Sequence, residues 1–162
     1  CIPGSTGGTP DRRQPRILKI AKDPELVNFS KRHLATEESH LQKIEAVLPK
    51  KDRSKLVWLW KVAGFLLGFL PTLFGPKIVF ATIEAVEAFV EEHYEEQLKY
   101  LRAQSNPNQE LIDLLQSCQD DEIDHKIESA EKKNLTPGIF IKLWTKIVGG
   151  GSAFAVKVAK II

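Results

Sequence analysis

Two polar interruptions of otherwise apolar helical rows constrain this chain more than any other feature. In Asp120-Asp121-Glu122-Ile123-Asp124-His125, Glu122 and His125 stand three residues apart, so on a helix they project from nearly one face. Stepping along that face gives Leu111, Leu115, Cys118, Glu122, His125 and Ser129, a largely apolar row that predicts burial. Earlier, Leu26, Ser30, His33, Glu37, Leu41, Ile44 and Leu48 form a second row, with His40 three residues after Glu37. A carboxylate and an imidazole on a buried row are costly unless paired or bound to a metal. Two Glu-x-x-His pairs on two core-facing helices are what a dinuclear metal site inside a helical bundle requires.

A single such pair has a plainer explanation, a surface ion pair worth ~0.3–0.5 kcal/mol. The combination argues against it. Two of the four His follow a Glu by three residues, both pairs fall on core-facing rows, and a third row carries Glu87. That row reads Val79, Ile83, Glu87, Val90, Tyr94, Leu98 and Leu101, with Glu91, Glu92, Glu95 and Glu96 lying beside it or outside. Ferritin-like di-metal bundles take a Glu from each of two helices and Glu-x-x-His from each of two others. By that pattern Glu37, His40, Glu87, Glu122 and His125 make a site one ligand short. Carboxylates mixed with two imidazoles suit iron or manganese better than a thiolate metal. His33 is read as a packing histidine.

The remaining sequence predicts an all-α chain. At 162 residues, 43% of them hydrophobic, it can bury one core and reads as one domain. Lys and Arg total 23 against 21 acidic residues, so net charge gives no reason to expect nucleic acid as a partner. Only Cys1 and Cys118 occur, which excludes a disulfide framework or a cysteine-based metal set. Met is absent, even at position 1, so the expectation is a fragment, a processed product or an imperfect gene model.

Residues 1–22 are expected to be irregular, with Gly and Pro concentrated before Arg16, and residues 23–162 to form the di-metal domain. Asp23-Pro24 opens a helix that Pro49 stops near Leu48, and Asp52 caps a second running to about Leu70. A third spans about Lys77 to Ala103, and Ser105-Asn106-Pro107 opens a fourth reaching about Lys132. Thr136-Pro137 opens a fifth, with a break expected at Gly149-Gly150-Gly151.

From about Leu34 onward the chain closely resembles the demethoxyubiquinone hydroxylases, di-iron carboxylate monooxygenases of ubiquinone biosynthesis. The matching text is Glu37-Glu38-Ser39-His40-Leu41, Leu59-Trp60 with Gly64-Phe65-Leu66-Leu67-Gly68, Ala85-Val86-Glu87 with His93-Tyr94 and Gln97, and Asp121-Glu122-Ile123-Asp124-His125. The resemblance implies a ferritin-like bundle with two iron ions held by Glu37, His40, Glu87, Glu122 and His125, two of the carboxylates bridging. It implies O₂-dependent hydroxylation of a demethoxyubiquinol ring with electrons from NADH, and a substrate or electron-delivery role for His93 and Tyr94. For Tyr94, core packing is the competing reading. Other ubiquinone-biosynthesis proteins are expected partners. The chain departs from the family before Glu25. There the family carries a His-Ala-Gly-Glu-type segment with the first ligand, whereas this chain has Gly4-Ser5-Thr6-Gly7. A disrupted gene model and a real loss of the ligand both account for that. The second makes the chain a catalytically impaired quinone- or lipid-binding protein.

A polyprenyl quinone resides in the bilayer, and two segments suit a membrane surface. Residues 56–74 are more apolar than one bundle face can bury, with Trp58 and Trp60 fit for a headgroup boundary. The last segment sets Phe140, Leu143, Ile147, Phe154, Val158 and Ile161 against Lys142, Lys146, Lys157 and Lys160, the pattern of a helix lying in an anionic surface. Peripheral attachment is expected, on the cytoplasmic side of a bacterial inner membrane or the matrix side of a mitochondrial one.

Overall fold

The structure, a computed structural model, describes residues 23–48, 57–133 and 138–159, with the side chains of all but 57–61 and 159. Among the described residues there is no strand, and five α-helices form a ferritin-like bundle. Helix α1 spans Pro24–Val47. Asp23 Oδ1 accepts from the N–H of Glu25 at 2.9 Å and of Leu26 at 3.0 Å, satisfying two of the donors that a helix start leaves open. Leu48, held extended before Pro49, ends it.

Helix α2 covers Val57–Phe69 and passes into a 3₁₀ segment, Leu70–Phe74, around the buried Pro71. Gly75 turns the chain at φ +97°, a conformation that a side chain disfavours, and α3 follows over Pro76–Arg102. Helix α4 covers Gln109–Lys133. It begins after Asn108 rather than at Asn106-Pro107, because Asn108 Oδ1 accepts the N–H of Leu111 at 3.1 Å.

The expected break in the last helix does not occur. Helix α5 runs from Ile139 to Ala159 straight through Gly149, Gly150 and Gly151. Each glycine costs about 1 kcal/mol in a helix interior, but tertiary packing overrides that preference. Trp144 Nε1 donates to Thr82 Oγ1 at 2.8 Å and Val148 is buried, so the turns before the glycines are fastened to α3.

Two apolar clusters fill the bundle. Leu26 and Phe29 of α1 meet Val79, Phe80 and Ile83 of α3 at one end. Leu98 of α3 packs on Ile112 and Leu115 of α4 at the other, with Tyr94, Leu101 and Leu111 around it. Pairs Lys126–Glu91 and Lys133–Glu84 tie α4 to α3, and Lys132–Glu25 and Arg32–Glu128 tie α4 to α1. Along α3, Glu87 lies between Ile83 of the first cluster and Tyr94 of the second.

Candidate metal centre

Helix α1 delivers His33, Glu37 and His40, α3 delivers Glu87, and α4 delivers Glu122 and His125. Glu122 is at the centre, only 3% exposed. Its Oε1 lies 3.2 Å from His40 Nδ1 and its Oε2 3.4 Å from His125 Nδ1. The same carboxylate acts on both Glu37 and Glu87, raising their carboxyls. His33 Nε2 stands 3.4 Å from Glu87 Oε1 and 3.6 Å from Glu37 Oε1, and its ring lies 4.2 Å from that of His125. Phe29 closes this end against both imidazoles, with ring centroids 5.6 and 6.5 Å away.

Buried carboxyl groups this close cannot all stay charged, and the titration shifts follow. Burial, then the Glu122 charge and hydrogen bond, push the Glu87 carboxyl up to about 10. Burial and Glu122 likewise raise Glu37 to about 7, although 42% of its side chain is exposed. Glu122 moves the other way. Burial opposes its charge, but hydrogen bonds with His125 and Glu87 and the nearby imidazoles outweigh that and lower it. In His125, burial is outweighed by Glu122, which raises it, while burial and His125 lower His33 to about 4.

These groups fit a pair of cations. Donor atoms of Glu37, His40 and Glu122 lie within 4.8 Å of one another, and so do those of His33, Glu37 and His125. The two triads share Glu37, the arrangement a bridging carboxylate needs. The orientation of His40 fits as well. Its Nε2 lies 2.9 Å from Asp121 Oδ2, a pair in which only the ring N–H can donate. That leaves Nδ1 as an acceptor facing a carboxylate oxygen, and only a proton or a cation reconciles two acceptors. Metal-bound imidazoles are commonly oriented by such a carboxylate.

Of the five residues expected as ligands, Glu37, His40, Glu122 and His125 fall in the two triads, and Glu87 stands beside them, 3.4 Å from His33. His33 requires a correction, since it faces Glu37 and Glu87 rather than serving only to pack. It falls on the α1 row one turn before Glu37, a signal present in the sequence. Asp121 left none, because its contact depends on where α1 passes.

His93 and Tyr94 occupy other ground. Tyr94 is half-buried beside Leu98, close to the Cys118 thiol. Burial, then Cys118 and the Glu122 and Glu37 charges, raise its phenol. His93 stacks on Phe89 at 6.0 Å and lines a cavity of about 760 Å³ with Ile44, Leu48, Gln97 and Leu115. A second cavity of about 760 Å³ lies among α2, α3 and α5, walled by Leu67, Val86, Phe89, Trp144 and Val148. Residues 1–22, with the expected first-ligand segment near Ser5, lie outside the described residues.

Several known proteins are similar to this chain. A Dictyostelium discoideum protein named NADPH-dependent 3-demethoxyubiquinone 3-hydroxylase, mitochondrial, is 32% identical over 91 residues, 55% of this chain and 42% of that protein. A Rhodospirillum rubrum 3-demethoxyubiquinol 3-hydroxylase is 35% identical over 115 residues, 70% of this chain and 53% of the relative. A Caenorhabditis elegans protein with the same name as the Dictyostelium one matches 90% of this chain and 80% of its own length at 26% identity. The chain therefore spans less than half of the first of these relatives. A family model covers residues 12–159, which takes in all three helices that converge on Glu122, and by that match the chain belongs to the family of the ubiquinone biosynthesis protein COQ7.

Proposed function

We propose that residues 23–162 form a di-iron monooxygenase domain that hydroxylates the ring of a demethoxyubiquinol in ubiquinone biosynthesis. The observation that carries this is the pair of donor triads sharing Glu37, in a chain of this family. Glu37, His40, Glu87, Glu122 and His125 hold two iron ions. Iron bound there supplies activation of O₂ for insertion into the quinone ring. The protein's own share is positional. Asp121 fixes the His40 ring, and Phe29 with its neighbours keeps water from one end. Tyr94, its phenol kept neutral, holds a hydrogen-bonding proton near Glu122, and His93 borders the cavity beside it.

The substrate's isoprenoid tail enters the apolar cavity among α2, α3 and α5, next to Val86 and one residue along from Glu87. Its route starts in the bilayer. Leu73 and Phe74 of the 3₁₀ segment and Phe140, Leu143 and Phe154 of α5 are between 55% and 69% exposed, and Phe74 and Phe140 touch at 5.9 Å. The patch they form rests on a membrane surface, with Lys142, Lys146 and Lys157 available to anionic headgroups. By length and composition alone α5 is also long and apolar enough to cross a bilayer. The lysines along it favour the in-plane reading. Several relatives are named as mitochondrial and one is from Rhodospirillum rubrum, which supports a mitochondrial or a bacterial setting. Within either, we place the chain at the inner membrane. Other ubiquinone-biosynthesis proteins are its partners there.

Electrons come from a nicotinamide nucleotide. Sequence resemblance suggests NADH, whereas the names of the Dictyostelium and Caenorhabditis relatives specify NADPH. The test is iron per chain together with O₂-dependent conversion of a short-chain demethoxyquinol, with each nucleotide in turn. Iron binding with ring hydroxylation supports the reading. Quinone binding without iron selects an impaired, non-catalytic family member, and iron with peroxide turnover but no hydroxylation selects an iron-handling bundle.

A further inference from the structure

We propose that His33 is a metal ligand, completing with Glu37 and His125 the second of the two cation positions. The inference rests on the iron-centre reading above and adds a donor that lies outside the two Glu-x-x-His pairs.

Its support is geometric. His33 is one helical turn before Glu37, so both project to the same side of α1. Its donor atom lies within 4.8 Å of those of Glu37 and His125. The two imidazoles lie against each other, with ring centroids 4.2 Å apart and planes tilted by 33°. A histidine kept only for packing is satisfied by hydrogen bonds when buried. His33 is not. Its Nδ1 is buried without a partner, and its Nε2 has carboxylate oxygens only at 3.4 and 3.6 Å, beyond ordinary N–H···O distances. A divalent ion among His33, Glu37 and His125 would give the ring a closer partner than those carboxylates. It would also neutralise the carboxylates that the ring faces.

The two positions then differ in kind. One is held by His40, Glu122 and the shared Glu37. The other is held by His33, His125 and Glu37, with Glu87 beside it. The second depends on two imidazoles against the first's one, so removing His33 should weaken one position and spare the other.

Metal-free protein titrated anaerobically with Co(II) tests this, with bound metal counted per chain and shifted ring N–H signals counted by NMR. Wild-type protein is expected to bind two Co(II) and to show three shifted histidine signals. His33→Gln is expected to keep one tight Co(II), to bind the other ~10–100-fold more weakly, and to lose one signal. In His33→Gly, added imidazole should restore the second Co(II), a rescue that a packing role does not predict. Circular dichroism of both variants reports folding separately. If His33→Gln binds two Co(II) as tightly as the wild type, with the same signals, the assignment of His33 fails and the metal-centre reading stands. If wild-type protein binds neither Co(II) nor Fe(II), both fail.

Discussion

His40 Nε2 stands 2.9 Å from Asp121 Oδ2, across the contact between α1 and α4. Asp121 is half-exposed and outside both triads, so its contribution is to hold the ring with Nδ1 toward Glu122. Asp121→Ala removes that restraint and is expected to weaken metal affinity ~10–100-fold. Asp121→Asn keeps an acceptor oxygen and should lose less. Competitive metal titration of the two variants checks this, and equal affinity for Asp121→Ala and wild type would show that the bond does not orient the ring.

Glu87 predicts how stability responds to pH when metal is withheld. Its carboxyl is raised from 4.5 to about 10 by burial and by Glu122, so the native state holds a proton that the unfolded chain releases. Stability from this group is complete below about pH 4.5 and is lost as pH rises toward 10, at up to ~1.4 kcal/mol per pH unit. Glu37 acts in the same direction between 4.5 and about 7, while His33, lowered to about 4, opposes both below 6.5. Glu87→Gln removes the Glu87 contribution. With chelator present, wild-type Tm should fall more steeply than that of Glu87→Gln between pH 7 and 9.5, and parallel curves would contradict the shared proton.

Metal binding should expel those protons. Near pH 7 Glu87 is protonated and Glu37 is close to half protonated, so loading releases about one to two protons from these carboxyls. Calorimetric titration in buffers of different ionisation enthalpy reads the number directly. A binding heat independent of buffer would mean that the cations do not replace protons at this cluster.

The fold was legible because its signals are local. Asp23-Pro24 and Gly75-Pro76 fix helix starts by capping or removing backbone donors, and the three rows set which faces go inward. Glu87 and Glu122 were legible because each interrupts such a row, where solvation fails. What was not legible depended on tertiary placement. Asp121 lies beside its row and acquires a role only from the ring on α1. Gly149 to Gly151 stay helical because Trp144 and Val148 fasten the preceding turns to α3, a contact that composition does not encode. His33 falls between these cases. Its position on the row was visible, but packing and coordination leave the same sequence pattern.

Phe29 joins the core to the site. It is 1% exposed, meets Phe80 edge-on at 5.3 Å, and covers His33 and His125. Phe29→Ala is expected to cost ~3–5 kcal/mol, a large part of a typical domain's stability. Phe29→Leu keeps most of the volume and should cost far less, while still removing the aromatic cover from the two imidazoles. Urea unfolding separates the two variants. A cost below ~1 kcal/mol for Phe29→Ala would place Phe29 outside the core.

The exposed face of α5 separates two contributions to membrane binding. Leu143 and Phe154 are 59% and 69% exposed, so Leu143→Ser with Phe154→Ser should leave Tm almost unchanged. On a bilayer those side chains enter the acyl boundary, and losing both should weaken vesicle binding by about 2 kcal/mol, or roughly 30-fold. Lys142→Gln with Lys146→Gln removes ~1 kcal/mol per charge on anionic vesicles, an effect that high salt screens. Raising salt should therefore erase the difference between the lysine variant and wild type while leaving the apolar variant's deficit in place. Cosedimentation with anionic and neutral vesicles at two salt concentrations reads both. A fall in Tm for the apolar variant, with vesicle binding intact, would assign this face to packing within the protein instead.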